Sequence, residues 1–121
     1  MIKIGNREIG RQHLPLVIAE MSGNHNQSLE RALEIVEAAA KTGAQALKIQ
    51  TYTPDTITLN CDSEDFKIRG GLWDGRTLYE LFEEAHMPWD WRHTELGPQW
   101  CRACSKDSVS LELCSTRPVA G

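Results

Sequence analysis

The stretch Gly43–Thr56, "GAQALKIQTYTPDT", puts Lys48 and Gln50 inside what otherwise reads as a buried strand. Ala46, Leu47 and Ile49 are apolar, a glycine precedes them and a Thr-Pro turn signal follows. An unpaired ammonium buried there would cost several kcal/mol, so Lys48 needs a negative or polar partner. Period 2 puts Leu47 and Ile49 on one face of the strand and Lys48 and Gln50 on the other.

Upstream, "NHNQSLERALEIVEAAAKTG" reads as a helix. Ser28 suits the N-cap, Glu30 the positive first turn and Lys41 the negative end. Leu29, Ala32, Leu33, Val36, Ala39 and Ala40 recur at i, i+3, i+4 and i+7, one apolar stripe, and Gly43 fits the C′ position. Before the helix, the apolar run Leu14–Ala19 ends in Glu20 and predicts a strand covered on both faces. Strand, helix and strand over Leu16–Thr51 make a βαβ unit with a right-handed crossover. If Leu47 and Ile49 pack on the helix, Lys48 and Gln50 face the far side of the sheet. In a (β/α)8 barrel that side is the interior, and Glu20 and Lys48 would sit near its C-terminal mouth.

The flanks are less regular. "MIKIGNREIG" predicts a hairpin of Ile2–Ile4 and Arg7–Ile9 about a Gly5-Asn6 turn. After Thr51 periodicity disappears until Thr77, and Tyr52, Phe66 and Trp73 suggest an ordered loop over the barrel mouth. Thr77-x-x-Glu80 is a capping box for a short helix, and Pro88 suits the first turn of another. From Gly97 the character changes: Gly97-Pro98 falls where a helix should continue, and apolar periodicity is lost until Val109–Leu113.

Composition narrows the function. With 121 residues, 40% hydrophobic and 25% charged, the chain suits one soluble domain with a modest core. A net charge of −4 without a basic stripe argues against nucleic acid or an anionic membrane as partner. No apolar run approaches the ~20 residues of a membrane span, and Met1 opens no signal-peptide pattern, so a cytoplasmic location is expected. Cys101-x-x-Cys104 has zinc or redox spacing, but a structural zinc takes four ligands and only Cys114 and His93 could be recruited. No metal ligands are therefore assigned within the chain.

The segments "IAEMSGNHNQSLERALEIVEAAAKTGAQALKIQTYTPDTITL" and "LWDGRTLYELFEEAHMPWDW" resemble the sialic acid synthase family, in detail its pseudaminic acid synthase branch. The likeness covers about residues 1–95. It implies an α/β fold, the N-terminal part of a (β/α)8 TIM barrel preceded by a small β-hairpin, with an antifreeze-like domain following in the family. It also implies condensation of phosphoenolpyruvate with an N-acetylated amino sugar, to give a nonulosonic acid and phosphate. C3 of phosphoenolpyruvate attacks the sugar aldehyde, water adds at C2, and the tetrahedral intermediate loses phosphate. A divalent metal, Mn²⁺ or Mg²⁺, polarises the aldehyde in that family, and its members are homodimers.

Carried over by motif, Lys48 binds the phosphoenolpyruvate anion with Gln50 beside it as a hydrogen-bonding partner. Glu20 is the catalytic candidate, near the metal-bound water or the sugar, for proton handling. The alternative is a Lys48–Glu20 ion pair lining the barrel floor. Asn24 either touches substrate or shapes the loop, and for His25 and Asn26 loop architecture is the expectation. Tyr52, Thr53 and Asp55 either line the pocket or serve the Pro54 turn. Phe66, Arg69 and Trp73 form a lid or anchor a long loop, and Trp89 and Trp91 pack a helix.

The sequence departs from the family beyond residue 95. Its third strand, an F-S-S-P-F-D-like segment, should fall near Val109–Thr116, where "VSLELCSTRPVAG" stands instead. Residues 96–121 therefore read as a divergent tail, expected from a shifted reading frame, with a short isoform or a wrongly drawn gene as the competing accounts. The antifreeze-like domain and the family's metal-binding histidines are absent, so the chain alone is expected to be inactive and poorly folded. The other functional readings are an N-acetylneuraminate or legionaminate synthase fragment, or a non-catalytic anion-binding module.

Overall fold

The computed structural model describes residues 2–4, 7–91, 95–103 and 109–114, with the backbone alone for Cys101 and 109–114. Gly5 and Asn6 of the expected turn, together with His93 and Cys104, lie outside the described residues. Strands β1 (Ile2–Ile4) and β2 (Arg7–Ile9) pair antiparallel, Ile2 opposite Ile9 and Ile4 opposite Arg7.

A second sheet carries the site. Strand β3 (Ile18–Glu20) is followed by helix α1 (Leu29–Lys41) and strand β4 (Ala46–Thr51), which runs parallel to β3. The capping signals work as the residue types dictate. The Ser28 hydroxyl accepts from Arg31 N at 3.3 Å, and Gly43 turns the chain at φ +80°, a conformation natural only to glycine. Ala32, Val36 and Ala39 of α1 bury against Leu47 and Ile49 of β4, with Met21, Met87, Leu96 and Trp100 closing the cluster. Leu47 and Ile49 are thus the helix-facing pair, and strand parity turns Lys48 and Gln50 to the opposite face.

Strand β3 is shorter than the apolar run upstream of Glu20 suggested, and it is not covered on both faces among the described residues. Leu14 is 82% exposed and Ile18 47%, because β3 is the edge strand and α1 packs on one side only.

The segment after β4 is ordered in short pieces. Helix α2 (Pro54–Ile57) is capped by Thr53, and 3₁₀ turns follow at Glu64–Phe66 and Gly71–Trp73. Ile68 N donates to Arg76 O at 2.8 Å, and Gly75 N donates to Ile68 O at 2.9 Å, which closes residues 68–76 into a loop. The Thr77–Glu80 capping box opens helix α3 (Leu78–Ala85), and one turn, α4 (Trp89–Trp91), follows Pro88.

Beyond residue 96 two elements form. Gly97 and Pro98 do not end a helix: Glu95 and Leu96 are already helical, in wider π-type turns, and run straight into α5 (Gly97–Ala103). Strand β5 (Val109–Cys114) pairs parallel with β4, Val109 beside Ala46 and Cys114 beside Thr51, giving the sheet order β3-β4-β5.

Candidate functional site

Parallel register sets Glu20 directly beside Lys48, at the C-terminal end of β3. Lys48 Nζ lies 2.9 Å from Glu20 Oε1, and Gln50 Nε2 donates to the same oxygen at 3.3 Å. A third donor, the Ser22 hydroxyl, reaches it at 3.1 Å. The hydrogen bond from the Lys48 ammonium, then that from Ser22, then the Lys48 charge, hold the Glu20 carboxyl below the usual carboxylate range. The Lys48 side chain is 25% exposed and that of Glu20 43%, so the pair is open to solvent rather than sealed. The ion pair given above as the alternative reading of Lys48 is formed, on the sheet face away from α1.

The loop leaving β3 is built largely from its own polar groups. Met21 N donates to Lys48 O at 3.1 Å, extending the ladder, and the Asn24 side-chain amide donates to Met21 O at 2.9 Å. Arg31 Nε donates to Asn24 O at 2.8 Å. His25 is fully buried, with its Nδ1 accepting from Gln27 N at 3.0 Å and its ring edge-on to Trp91 at 5.5 Å between centroids. An accepting Nδ1 puts the proton of the neutral ring on Nε2, which has no partner among the described residues. Burial, and secondarily His86, push the His25 pKa below its ordinary value. The Gln27 amide donates to Glu83 O at 3.1 Å and His86 O at 3.3 Å, fastening the loop to the end of α3.

Other candidates are occupied elsewhere. Tyr52 is buried, its ring edge-on to Phe82 of α3 at 5.7 Å, and burial raises its phenol pKa. Asp55 accepts from the Tyr79 hydroxyl at 3.1 Å, and Thr53 caps α2. Arg69 pairs with Glu64, and Trp73 lies under the Arg76 guanidinium at 4.9 Å. Arg76 in turn bonds Glu84 at 2.6 Å, which ties the long loop to α3. Ser22 and Gln27 were not singled out from the sequence. Their contacts depend on left-handed backbone at residues whose type does not announce it, φ +51° at Ser22 and +56° at Gln27.

Among the described residues no three His, Cys, Asp or Glu side chains converge to hold a metal ion.

Residues 35–114 match the model of the NeuB family. The chain belongs to the NeuB family. It is 54% identical over 95 residues to pseudaminic acid synthase of Campylobacter jejuni, 78% of this chain and 27% of that protein. It is 48% identical over 82 residues to pseudaminic acid synthase of Helicobacter pylori, 68% of this chain and 24% of that one. To N,N'-diacetyllegionaminic acid synthase of Legionella pneumophila it is 49% identical over 71 residues, 59% of this chain and 20% of the relative. The chain thus spans about a quarter of the length of the curated relatives it matches. The family match runs from the middle of α1 through β4, α5 and β5. No helix among the described residues is long and apolar enough to cross a membrane.

Proposed function

We propose that this NeuB-family chain carries the phosphoenolpyruvate-binding part of a pseudaminic acid synthase-like enzyme, and that β3, α1 and β4 are the first units of a (β/α)8 barrel. The observation that carries the reading is the Glu20–Lys48–Gln50 cluster, at the C-terminal end of β3 and along the neighbouring β4, on the face away from the helix. In the proposed reaction C3 of phosphoenolpyruvate bonds to the aldehyde carbon of an N-acetylated amino sugar and water adds at C2. The C2–O bond to phosphate then breaks, releasing inorganic phosphate. Lys48 and Gln50 hold the anion by charge and hydrogen bond. Glu20, kept ionised beside them, is the acceptor for a proton of the attacking water.

Titration calorimetry with phosphoenolpyruvate tests this. The wild-type chain should bind it, and Lys48→Met should weaken binding roughly tenfold or more, the scale of a lost charged hydrogen bond. Equal binding by both would overturn the assignment. The likeness to a legionaminic acid synthase supports a second sugar specificity. Phosphate release by a full-length relative carrying this segment, on adding each branch's sugar, would choose between them.

A further inference from the structure

Ser22 lies two residues past β3 with φ +51°, in the left-handed region that a side chain with a Cβ enters only at a cost. The loop around it is closed by its own hydrogen bonds. Asn24 N donates to Met21 O at 3.2 Å, and Asn26 N to Gly23 O at 3.1 Å. Gly23 is seated so closely on Ala85 that an added Cβ would stand 3.4 Å from that residue's Cβ and carbonyl oxygen. A glycine would relax the backbone at position 22, but it would remove the hydroxyl that donates to Glu20 Oε1 at 3.1 Å.

That oxygen takes three donors, from Ser22, Lys48 and Gln50, whereas Glu20 Oε2 accepts no hydrogen bond among the described residues. Two of the three donors are the groups assigned above to an incoming anion. We infer that Ser22 is a positioning residue, the donor that keeps Glu20 in place while Lys48 and Gln50 turn to the substrate's anionic groups. The inference rests on the proposed reading of Lys48 and Gln50. It adds that Glu20 keeps one partner for which the ligand does not compete, with Oε2 left open for a proton. The charged group facing Glu20 among the described residues is Lys48 of β4.

The test is the titration midpoint of the Glu20 carboxyl, followed by carbon NMR with labelled glutamate, for wild type, Ser22→Gly and Ser22→Ala. Each is measured free and with saturating phosphoenolpyruvate. Both variants lack the hydroxyl but differ in strain, since φ +51° suits glycine and not alanine. Both should move the midpoint upward, further with phosphoenolpyruvate bound, whatever their difference in thermal stability. A midpoint unchanged in Ser22→Gly, or moved only in Ser22→Ala, overturns the inference. If wild type fails to bind phosphoenolpyruvate, the proposed function falls, and the ligand-free titrations still decide whether Ser22 holds Glu20.

Discussion

His25 is a buried imidazole whose Nε2 has no partner among the described residues. His25 takes its proton with difficulty because burial penalises the charged ring, so its folded pKa lies below the ordinary value of 6.5. The unfolded chain then binds the extra proton first. The stabilisation is present above that value and is lost as pH falls through the folded pKa. The urea midpoint should therefore drop between about pH 7.5 and pH 5.5, and His25→Leu should flatten the drop. An equal drop in both proteins would assign it elsewhere. Glu20 has the same sign at lower pH, because Lys48 and Ser22 hold its carboxyl down. Removing Lys48 from a pair this open to solvent should lower stability only slightly, as Lys48→Met in urea unfolding would measure. A much larger loss would mean that the pair serves the fold rather than a ligand.

At the scale of elements, α1 depends on signals that are local and readable. Its cap, stripe and terminating glycine all act within one turn of the residues that carry them. Ser28→Ala should lower stability by about 1 kcal/mol in urea unfolding, the usual value of an N-cap hydroxyl. No loss would mean that the tertiary contacts of α1 fix its start without the cap. The alternation in β4 was legible for the same reason, since strand parity sorts Lys48 from Leu47 without reference to any neighbour. The element readings that failed were non-local. Gly97-Pro98 looked like a stop, yet α5 packs on α1, where the Gln99 amide donates to Glu37 at 2.9 Å and Trp100 is buried. Packing on a neighbour overrode a local breaker. The long loop gave no period because cross-loop pairs such as Arg76–Glu84 and Arg69–Glu64 hold it, not a repeating apolar face.

Taken as a whole, the molecule covers its parallel sheet with helices on one side only among the described residues. The exposed apolar side chains of Leu14, Val17 and Ile18 lie on or beside the edge strand β3. An unpaired strand with such neighbours is a template for another chain. The 121-residue protein should therefore self-associate in a concentration-dependent way by light scattering, and Ile18→Lys should reduce this. A monomer at every concentration would show that the edge is already protected.

What the sequence determined by itself is the βαβ unit, the face on which Lys48 and Gln50 stand, and membership of the NeuB family. Each follows from periods and motifs confined to a continuous stretch. Only the tertiary structure decided that Glu20, Lys48, Gln50 and Ser22 meet at one oxygen. It also buried His25, tied Asn24 and Gln27 to the loop and α3 through hydrogen bonds, and seated Tyr52 on Phe82. Those outcomes depend on parallel register across 28 residues of chain and on backbone dihedrals in the left-handed region. Neither quantity is written in residue type or spacing, because both are settled by contacts with elements that arrive from elsewhere in the chain.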